Sequence, residues 1–520
     1  MTQISQLVRR AVQIVGEKPA TVFANRTRTW RQFEDRIGRL AGAFHQLGVR
    51  RGDRIGILSL NSDHYLECIF GLSYGGFVFV PINTRLTVTE IAFCIEDSGC
   101  IAVLIDDTFV SVVPKLLLEA PQLQHVITIG DSNAPQGVLP YEELLARADV
   151  LPCSIGGNDD LAGIFYTGGT TGRSKGVMLS HANFFANLLN TYPGAPTNEA
   201  TRYAHAAPMF HIADNAMTFK VTGFGGTHYF LPRFEPSALL HLISTHRITH
   251  LVLVPTMISM LLQHPDFPRH DLSSLEQLSF GGSSMPEALL QRVVESLPNT
   301  NLVQAYGLSE ASPVMTQLER RFNTLVGPYA GKTKSAGRAV IGCEVRVLDE
   351  NDEEVPRGTV GEICGRGDMV MLGYWKLPEI TGQTLRNGWL HTGDAGYMDD
   401  DGFVYVVDRK KDMIISGGEN VYSAETEAAL YSHPAVAECA VIGVPDEQWG
   451  ERVHAVVRLK QGEATTAEEL ISHARKLIAS YKCPRSIELR SEPLPLTGAG
   501  KILKNELRRP FWEGRQTEVN

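Results

Sequence analysis

The chain carries only eight cysteines in 520 residues, and no two stand in a Cys-x-x-Cys pair. Zinc-ribbon and dithiol redox readings therefore fail, and a disulfide framework is not expected in a chain of this length. Long apolar runs are lacking too. The longest, near 77–82 and 251–262, fall well short of the ~20 residues that cross a bilayer. The opening MTQISQLVRRAVQIVGEKPA has no uninterrupted apolar core of the signal-peptide kind. Basic residues are not in excess: 48 Lys and Arg face 58 Asp and Glu, a net charge of −10. That balance argues against a general nucleic-acid binder. The 16 histidines show no His-Glu-x-x-His or comparable metal spacing. Neither a 20–50-residue repeat nor a low-complexity segment is present. With 43% apolar and 20% charged residues, the expectation is a globular protein of a reducing, cytoplasmic compartment.

What is present first is alternation. RIGILSL (54–60), FVFVPIN (77–83) and IAVLIDD (101–107) are β-branched runs separated by helix-like HYLECIFGLSYGG and TVTEIAFCIEDSG. The pattern returns in HLVLVPT (250–256), LEQLSFGG (275–282) and NLVQAYG (301–307). Strand–helix–strand order predicts a parallel sheet with covering helices, its strands opening into loops at their carboxyl ends. From about 343 the texture becomes short alternating strands with turn signals, as in an antiparallel layer. The charged VVDRKKDMIIS (406–416) marks the main boundary, and one helix-like stretch, 466–481, follows it. The fold class expected is α/β. An N-terminal domain over 1–408 has mostly parallel sheets plus a small antiparallel layer, 409–411 is the connection, and a small α+β domain covers 412–520.

Between strand-like Ile164–Tyr166 and helix-like Ser180–Phe184 lies TGGTTGRSKG, rich in glycine and hydroxyls. Small residues let backbone N–H groups approach a phosphate, and hydroxyls add donors. A Walker A loop needs Gly-Lys after four free positions from a first glycine. Here Gly172 is followed by Arg173 and preceded five residues earlier by Thr167, so a P-loop NTPase is disfavoured.

YTGGTTGRSKGV (166–177) resembles instead the phosphate loop of the adenylate-forming superfamily, which includes acyl-CoA synthetases, luciferases and peptide-synthetase adenylation domains. Four further motifs in order extend the resemblance nearly end to end, closest to the AMP-forming acyl-CoA ligases. It implies that Thr167, Gly168, Gly169, Thr170, Thr171, Gly172 and Lys175 hold the β- and γ-phosphates of ATP. In AYGLSEASP (305–313) it puts Tyr306 against adenine, Ser309 on the α-phosphate and Glu310 on Mg²⁺, with Gly307 beside them. The family more often has threonine where this chain has Ser309, and the hydroxyl survives. Asp394 in HTGD resembles the ribose carboxylate, Arg409 a second ribose contact and Lys411 the hinge about which the small domain turns. Gly417, Gly418 and Trp449 resemble the lining of the pantetheine tunnel, although a plain turn and a packed core tryptophan explain them as well. Lys501 in LTGAGK resembles the C-terminal catalytic lysine, in a stretch (481–509) with seven basic and three acidic residues. His211 stands where the family has a gate to the acyl pocket, with a core or helix-capping histidine as the competing reading. Gly281, Gly282, Ser283 and Gly307 would wall that pocket, where glycines would leave depth.

The activity implied joins a carboxylic acid to CoA in two half-reactions, through an acyl-adenylate, with Mg²⁺ as cofactor. Medium- to long-chain fatty acids are the first substrate expectation, and aryl or phenylpropenoic acids the alternative. A reading of another class is a catalytically silent nucleotide-binding protein on the same fold. Loss of Lys501 or Glu310 would have favoured it, and both are present. Self-association and peripheral membrane contact are left open.

Overall fold

The computed structural model describes residues 3–130, 134–154, 156–167, 174–283, 285–324, 326–409, 412–416, 419–446, 448–498 and 500–513. Two sheets of eight and nine strands, mostly parallel at their centres, form the large N-terminal part. In one, strands Arg54–Leu58, Val78–Pro81, Cys100–Asp106 and Leu161–Thr167 run parallel, and Lys175–Ser180 pairs antiparallel beside the last. In the other, Arg202–His205, Thr227–Phe230, His250–Leu253, Gln277–Gly281 and Asn301–Tyr306 run parallel.

These strands read as apolar runs because both faces are covered. Helix Asp63–Gly75 contacts strands of both sheets and is buried along almost its whole length, as a helix apolar on every side must be. Ser62 caps its start, its hydroxyl accepting from the Tyr65 amide, and Gly76 at φ 78° ends it in the left-handed conformation that suits glycine. Helix Ile212–Phe224 packs on the nine-stranded sheet and against helix His181–Thr191 of the opposite layer. The expected antiparallel layer is present as Glu344–Leu348, Gly361–Arg366, Trp389–Met398 and Val404–Arg409.

The C-terminal sheet is built on the long antiparallel pair Val436–Asp446 and Gly450–Leu459, with Ser486–Arg490 parallel to the second. Helix Ala467–Ala474 begins at a capping box of Thr466 and Glu469. It is shorter than the 466–481 stretch read from sequence, whose remainder runs on as turns with Leu477 56% exposed. Two more helices follow, Ser423–Tyr431 and Lys504–Trp512; the first has no counterpart in the sequence reading, and the second is the helix expected after the Lys501 loop. The first buries Ser423, Thr426 and Ala429 beside Leu430, and the second only Leu507, so neither displays an apolar stripe. Among the described residues no helix is long and apolar enough to cross a membrane.

One charge in the core is isolated from any carboxylate. Lys220, in the middle of Ile212–Phe224, is buried, and its Nζ donates to the Thr191 and Ala195 carbonyls, each at 3.2 Å. Burial pulls its pKa from 10.5 to about 7. Between those values the unfolded chain binds more protons than the folded one, so stability rises with pH across the window. Lys220→Met should therefore stabilise the protein more at neutral pH than at pH 9, by a margin of about 2 kcal/mol. Thermal unfolding of both proteins across this range tests it, and a margin independent of pH would show that the buried amine titrates normally.

Candidate active site

The strand pair Leu161–Thr167 and Lys175–Ser180 positions the glycine-rich loop: Thr167 and Lys175 face each other across the hairpin. Gly168, Gly169, Thr170, Thr171 and Gly172 lie outside the described residues. Ser180 caps the following helix with its hydroxyl on the Asn183 amide. Lys175 Nζ sits 4.5 Å above the ring of Tyr374, and the Tyr374 hydroxyl donates to Glu310 Oε1 at 2.7 Å. One aromatic ring thus joins the lysine after the loop to the carboxylate of the second motif. Burial first, then the Glu310 charge, push the Tyr374 phenol well above its ordinary pKa, so it stays a donor. Sequence reading passed over Tyr374, because GYWKLPE lies outside every motif quoted and shows no periodic pattern.

Glu310 stands just past strand Asn301–Tyr306, in the short turn Ser309–Ala311, with half-buried Ser309 beside it. Its own side chain is buried, and among the described residues its second oxygen makes no hydrogen bond. A single hard carboxylate with an uncommitted oxygen suits Mg²⁺, which takes one or two carboxylates and completes its shell with phosphate and water.

Tyr306, ending the same strand, donates to Asp394 Oδ2 at 2.8 Å. Asp394 is cross-strand partner to Arg409, whose Nε lies 3.2 Å from Asp394 Oδ1. That buried Oδ1 nevertheless accepts no hydrogen bond. The HTGD turn is fixed by its neighbours: the Gly393 amide donates to Glu362, and Thr392 donates to the Ile363 carbonyl while accepting from the Asp394 amide. Burial raises the Asp394 pKa, against the lowering effects of Arg409, Tyr306 and Lys501. An arginine-paired carboxylate with spare acceptor capacity is equipped to bind hydroxyl groups.

Lys501 reaches this site from the C-terminal sheet's own loop. Arg85 donates to the Thr497 carbonyl at 2.9 Å, and Thr256 to the Gly500 carbonyl at 3.3 Å. The loop closes on itself through the Thr497 hydroxyl, which accepts from the Lys501 amide at 3.0 Å. A methyl group on Gly282, at φ 81°, would stand 3.1 Å from Lys501 Cε. The lysine's charge lowers the pKa of both Asp394 and His211, so the ammonium is near enough to act on each.

His211 caps helix Ile212–Phe224, its Nδ1 accepting from the Ala213 amide at 3.3 Å. The proton of the neutral ring therefore sits on Nε2. Burial and then Lys501 push its pKa down to about 4, against the opposing pull of Asp214. The capping reading of His211 holds, and the same residue faces the Lys501 charge.

Two of the glycines expected to wall an acyl pocket have backbone close against them. A methyl on Gly281 would stand 2.3 Å from the Ala305 carbonyl, and one on Gly307 would stand 2.0 Å from the Pro313 carbonyl. Both positions require glycine because backbone passes close by, and Ser283 is exposed. Trp449 is half-buried under the guanidinium of Arg485, 4.2 Å from its ring, rather than packed in a core. Lys411, Gly417 and Gly418 lie outside the described residues.

Residues 8–375 match the AMP-binding enzyme family, and residues 425–501 match the AMP-binding enzyme C-terminal domain. The chain belongs to the AMP-binding enzymes. This is the adenylate-forming superfamily inferred from the motifs, and the α/β class with a separate C-terminal domain holds with it. The chain is 40% identical to a feruloyl-CoA synthase of Amycolatopsis sp over 485 residues, covering 93% of this chain and 94% of that one. It is 35% identical to a medium/long-chain fatty acid–CoA ligase of Mycobacterium tuberculosis, over 96% of this chain and 88% of the relative. Among solved structures, an anthranilate CoA ligase in complex with anthranoyl-AMP superposes with a TM-score of 0.89 at 27% identity, covering 98% of this chain and 97% of the other. The coarse activity of this AMP-binding enzyme is that of the AMP-forming acyl-CoA ligases.

Tyr374→Phe removes the donor on Glu310 and should weaken MgATP binding roughly 10- to 100-fold, the worth of a hydrogen bond to a charged group. Calorimetric titration of MgATP measures it, and an unchanged Kd would separate Tyr374 from the nucleotide site.

Proposed function

We propose that this AMP-binding enzyme is an ATP-dependent carboxylic acid–CoA ligase acting through an acyl-adenylate, with Lys501 and Glu310 as catalytic residues. The observation that carries the proposal is the docking of the Lys501 loop, from the C-terminal part, on Arg85, Thr256 and Gly282 of the N-terminal part, where the lysine's charge acts on Asp394 and His211.

A carboxylate is a poor acceptor for a thiol because its leaving group is oxide. Transfer of AMP to that oxygen gives a phosphate-ester leaving group. The first step brings two anions together, so cations must offset their repulsion. Lys501 stabilises the charge that develops at the α-phosphorus, and Lys175 holds the outer phosphates with the loop Thr167–Lys175. Asp394 and Arg409 hold the ribose, and Tyr306 lies against the adenine. Mg²⁺ on Glu310, when bound, draws charge from the phosphate oxygens. In the second step a thiol displaces AMP, and Lys501 is no longer required. The change of face between the steps is assigned to rotation of residues 412–520 about Lys411, with Gly417, Gly418 and Trp449 bordering the thiol's path.

Two acid classes carry comparable support. Medium- to long-chain fatty acids fit the Mycobacterium tuberculosis relative, and phenylpropenoic acids fit the more similar Amycolatopsis one. A cytoplasmic setting is consistent with all eight cysteines being free thiols.

Pyrophosphate release should be measured from MgATP with C2–C18 fatty, benzoic and cinnamic acids, with and without CoA. Release with one class, made catalytic by CoA, is the expected result. ATP binding with no release from any acid would support the silent-fold reading. Lys501→Ala should lower acyl-AMP formation on the order of 10²–10³-fold and leave thiolysis of supplied acyl-AMP intact. Equal loss of both steps would refute the single-step role of the lysine. Asp394→Ala should raise KM for ATP, and unchanged ATP kinetics would displace the ribose assignment.

A further inference from the structure

Beside the nucleotide contacts runs a buried chain of polar side chains that the reaction above does not use. Tyr203 and His205 lie on strand Arg202–His205, and His228 lies on the neighbouring Thr227–Phe230. Asp214, Thr218 and Thr222 follow at four-residue spacing on one face of helix Ile212–Phe224. All six are 0% exposed. The Tyr203 hydroxyl donates to Asp214 Oδ1 at 2.7 Å, His205 Nδ1 lies 2.7 Å from Oδ2, and Thr218 donates to Oδ2 at 3.2 Å. His205 Nε2 lies 2.9 Å from His228 Nδ1, and His228 Nε2 lies 3.0 Å from the Thr222 hydroxyl.

One proton arrangement serves every link. An ionised Asp214 only accepts, so His205 carries its proton on Nδ1 and presents a lone pair at Nε2. His228 must then donate from Nδ1, and its own Nε2 accepts from Thr222. Every donor in the chain points toward Asp214, which therefore receives three hydrogen bonds in a region closed to water. Such a fully satisfied network holds its members in one geometry.

Asp214 sits in the first turn of the helix capped by His211, and its amide donates to the His211 carbonyl at 3.2 Å. The network thus grips the turn that presents His211 toward Lys501. The Lys501 charge also acts on Asp394 of the Tyr306–Asp394–Arg409 group, where the ligase reading puts the nucleoside. In that reading the acid must meet the α-phosphate beside Lys501. Strand Arg202–His205, which leads to His211, is neighbour to His250–Leu253, and Thr256 just beyond that strand holds the Gly500 carbonyl. The helix start and the Lys501 loop therefore share the carboxyl edge of the sheet, where ligands of parallel sheets bind. The same helix carries Met217 and Val221, packed with Tyr203 and Val252 into an apolar cluster. Two strands, His250–Leu253 and Gln277–Gly281, separate this network from Asn301–Tyr306 and its nucleotide contacts.

We infer that Tyr203, His205 and His228 are positioning residues that act through Asp214 on the acid-binding end of the site, setting which acids are accepted and not how ATP is held. The inference rests on the ligase reading above. Tyr203→Phe removes one hydroxyl and leaves Asp214 Oδ1 without its donor. The best acid from the panel should then show a KM raised about 3- to 10-fold, with a changed ranking among acids, while KM for ATP stays within about twofold. In a His211→Ala background the same substitution should add little, because both act on one helix turn. Should Tyr203→Phe fail to fold, Thr222→Val at the far end of the chain should give the same split in smaller measure. If both KM values move together, or if acid ranking is unchanged while the melting temperature falls, the network is a core brace and the inference is overturned. A wild-type protein that activates no acid in the panel overturns the ligase reading instead.

Discussion

The ion pair between Asp394 and Arg409 is the contact on which the site's arrangement depends. It lies across two adjacent antiparallel strands, and Arg409 ends the second of them, immediately before the sequence passes toward the C-terminal domain. Tyr306 adds a donor from a different sheet to the same carboxylate. A buried carboxylate held by partners on two sheets is costly to leave unpaired, so it fixes how the small antiparallel layer sits on the parallel one. Glu310 follows from the same registration: it stands four residues beyond Tyr306 and meets Tyr374, which meets Lys175. Two side-chain sets, Lys175–Tyr374–Glu310 and Tyr306–Asp394–Arg409, are therefore joined through the short backbone stretch from Tyr306 to Glu310.

Much of this was legible in the sequence, for reasons that can be named. The parallel strands announced themselves because helices cover both sheet faces, leaving unbroken runs such as CIAVLID and NLVQAY. The motif residues were legible because each couples a charged or hydroxylated side chain to glycines at a strand end. Three things were not. Helix Ser423–Tyr431 buries mostly small and hydroxylated residues, so no apolar period marks it. Tyr374 acquires its role from contacts with two residues about 64 and 199 positions away in sequence, which no local pattern encodes. Gly281 and Gly307 were assigned to empty space, whereas each accommodates the carbonyl of a neighbouring chain segment. A glycine in sequence signals close approach without saying whether ligand or backbone approaches.

Helix Ile212–Phe224 bears an unusual load for a core element. It holds a carboxylate with three donors near its start and, past its midpoint, an amine that among the described residues has no carboxylate partner. Both groups are buried, and both are satisfied by hydrogen bonds rather than by each other. The two ends solve the same desolvation problem differently. Asp214 is met by three neutral donors, while Lys220 has only carbonyl acceptors and its pKa falls toward neutrality.

The manner in which the Lys501 loop docks has a bearing on how this enzyme could be altered. Arg85 and Thr256 both address main-chain carbonyls of the loop, at Thr497 and Gly500. Main-chain recognition is blind to residue identity, so the docking tolerates drift in most loop side chains. What it does not tolerate is bulk: a methyl group at Gly498 would stand 2.6 Å from Asn83, and one at Gly500 3.1 Å from Val254. A library that keeps these two glycines, Thr497 and Lys501 while varying the positions around them would sample docking strength, and with it the time the domain spends in this pose, without touching the chemistry.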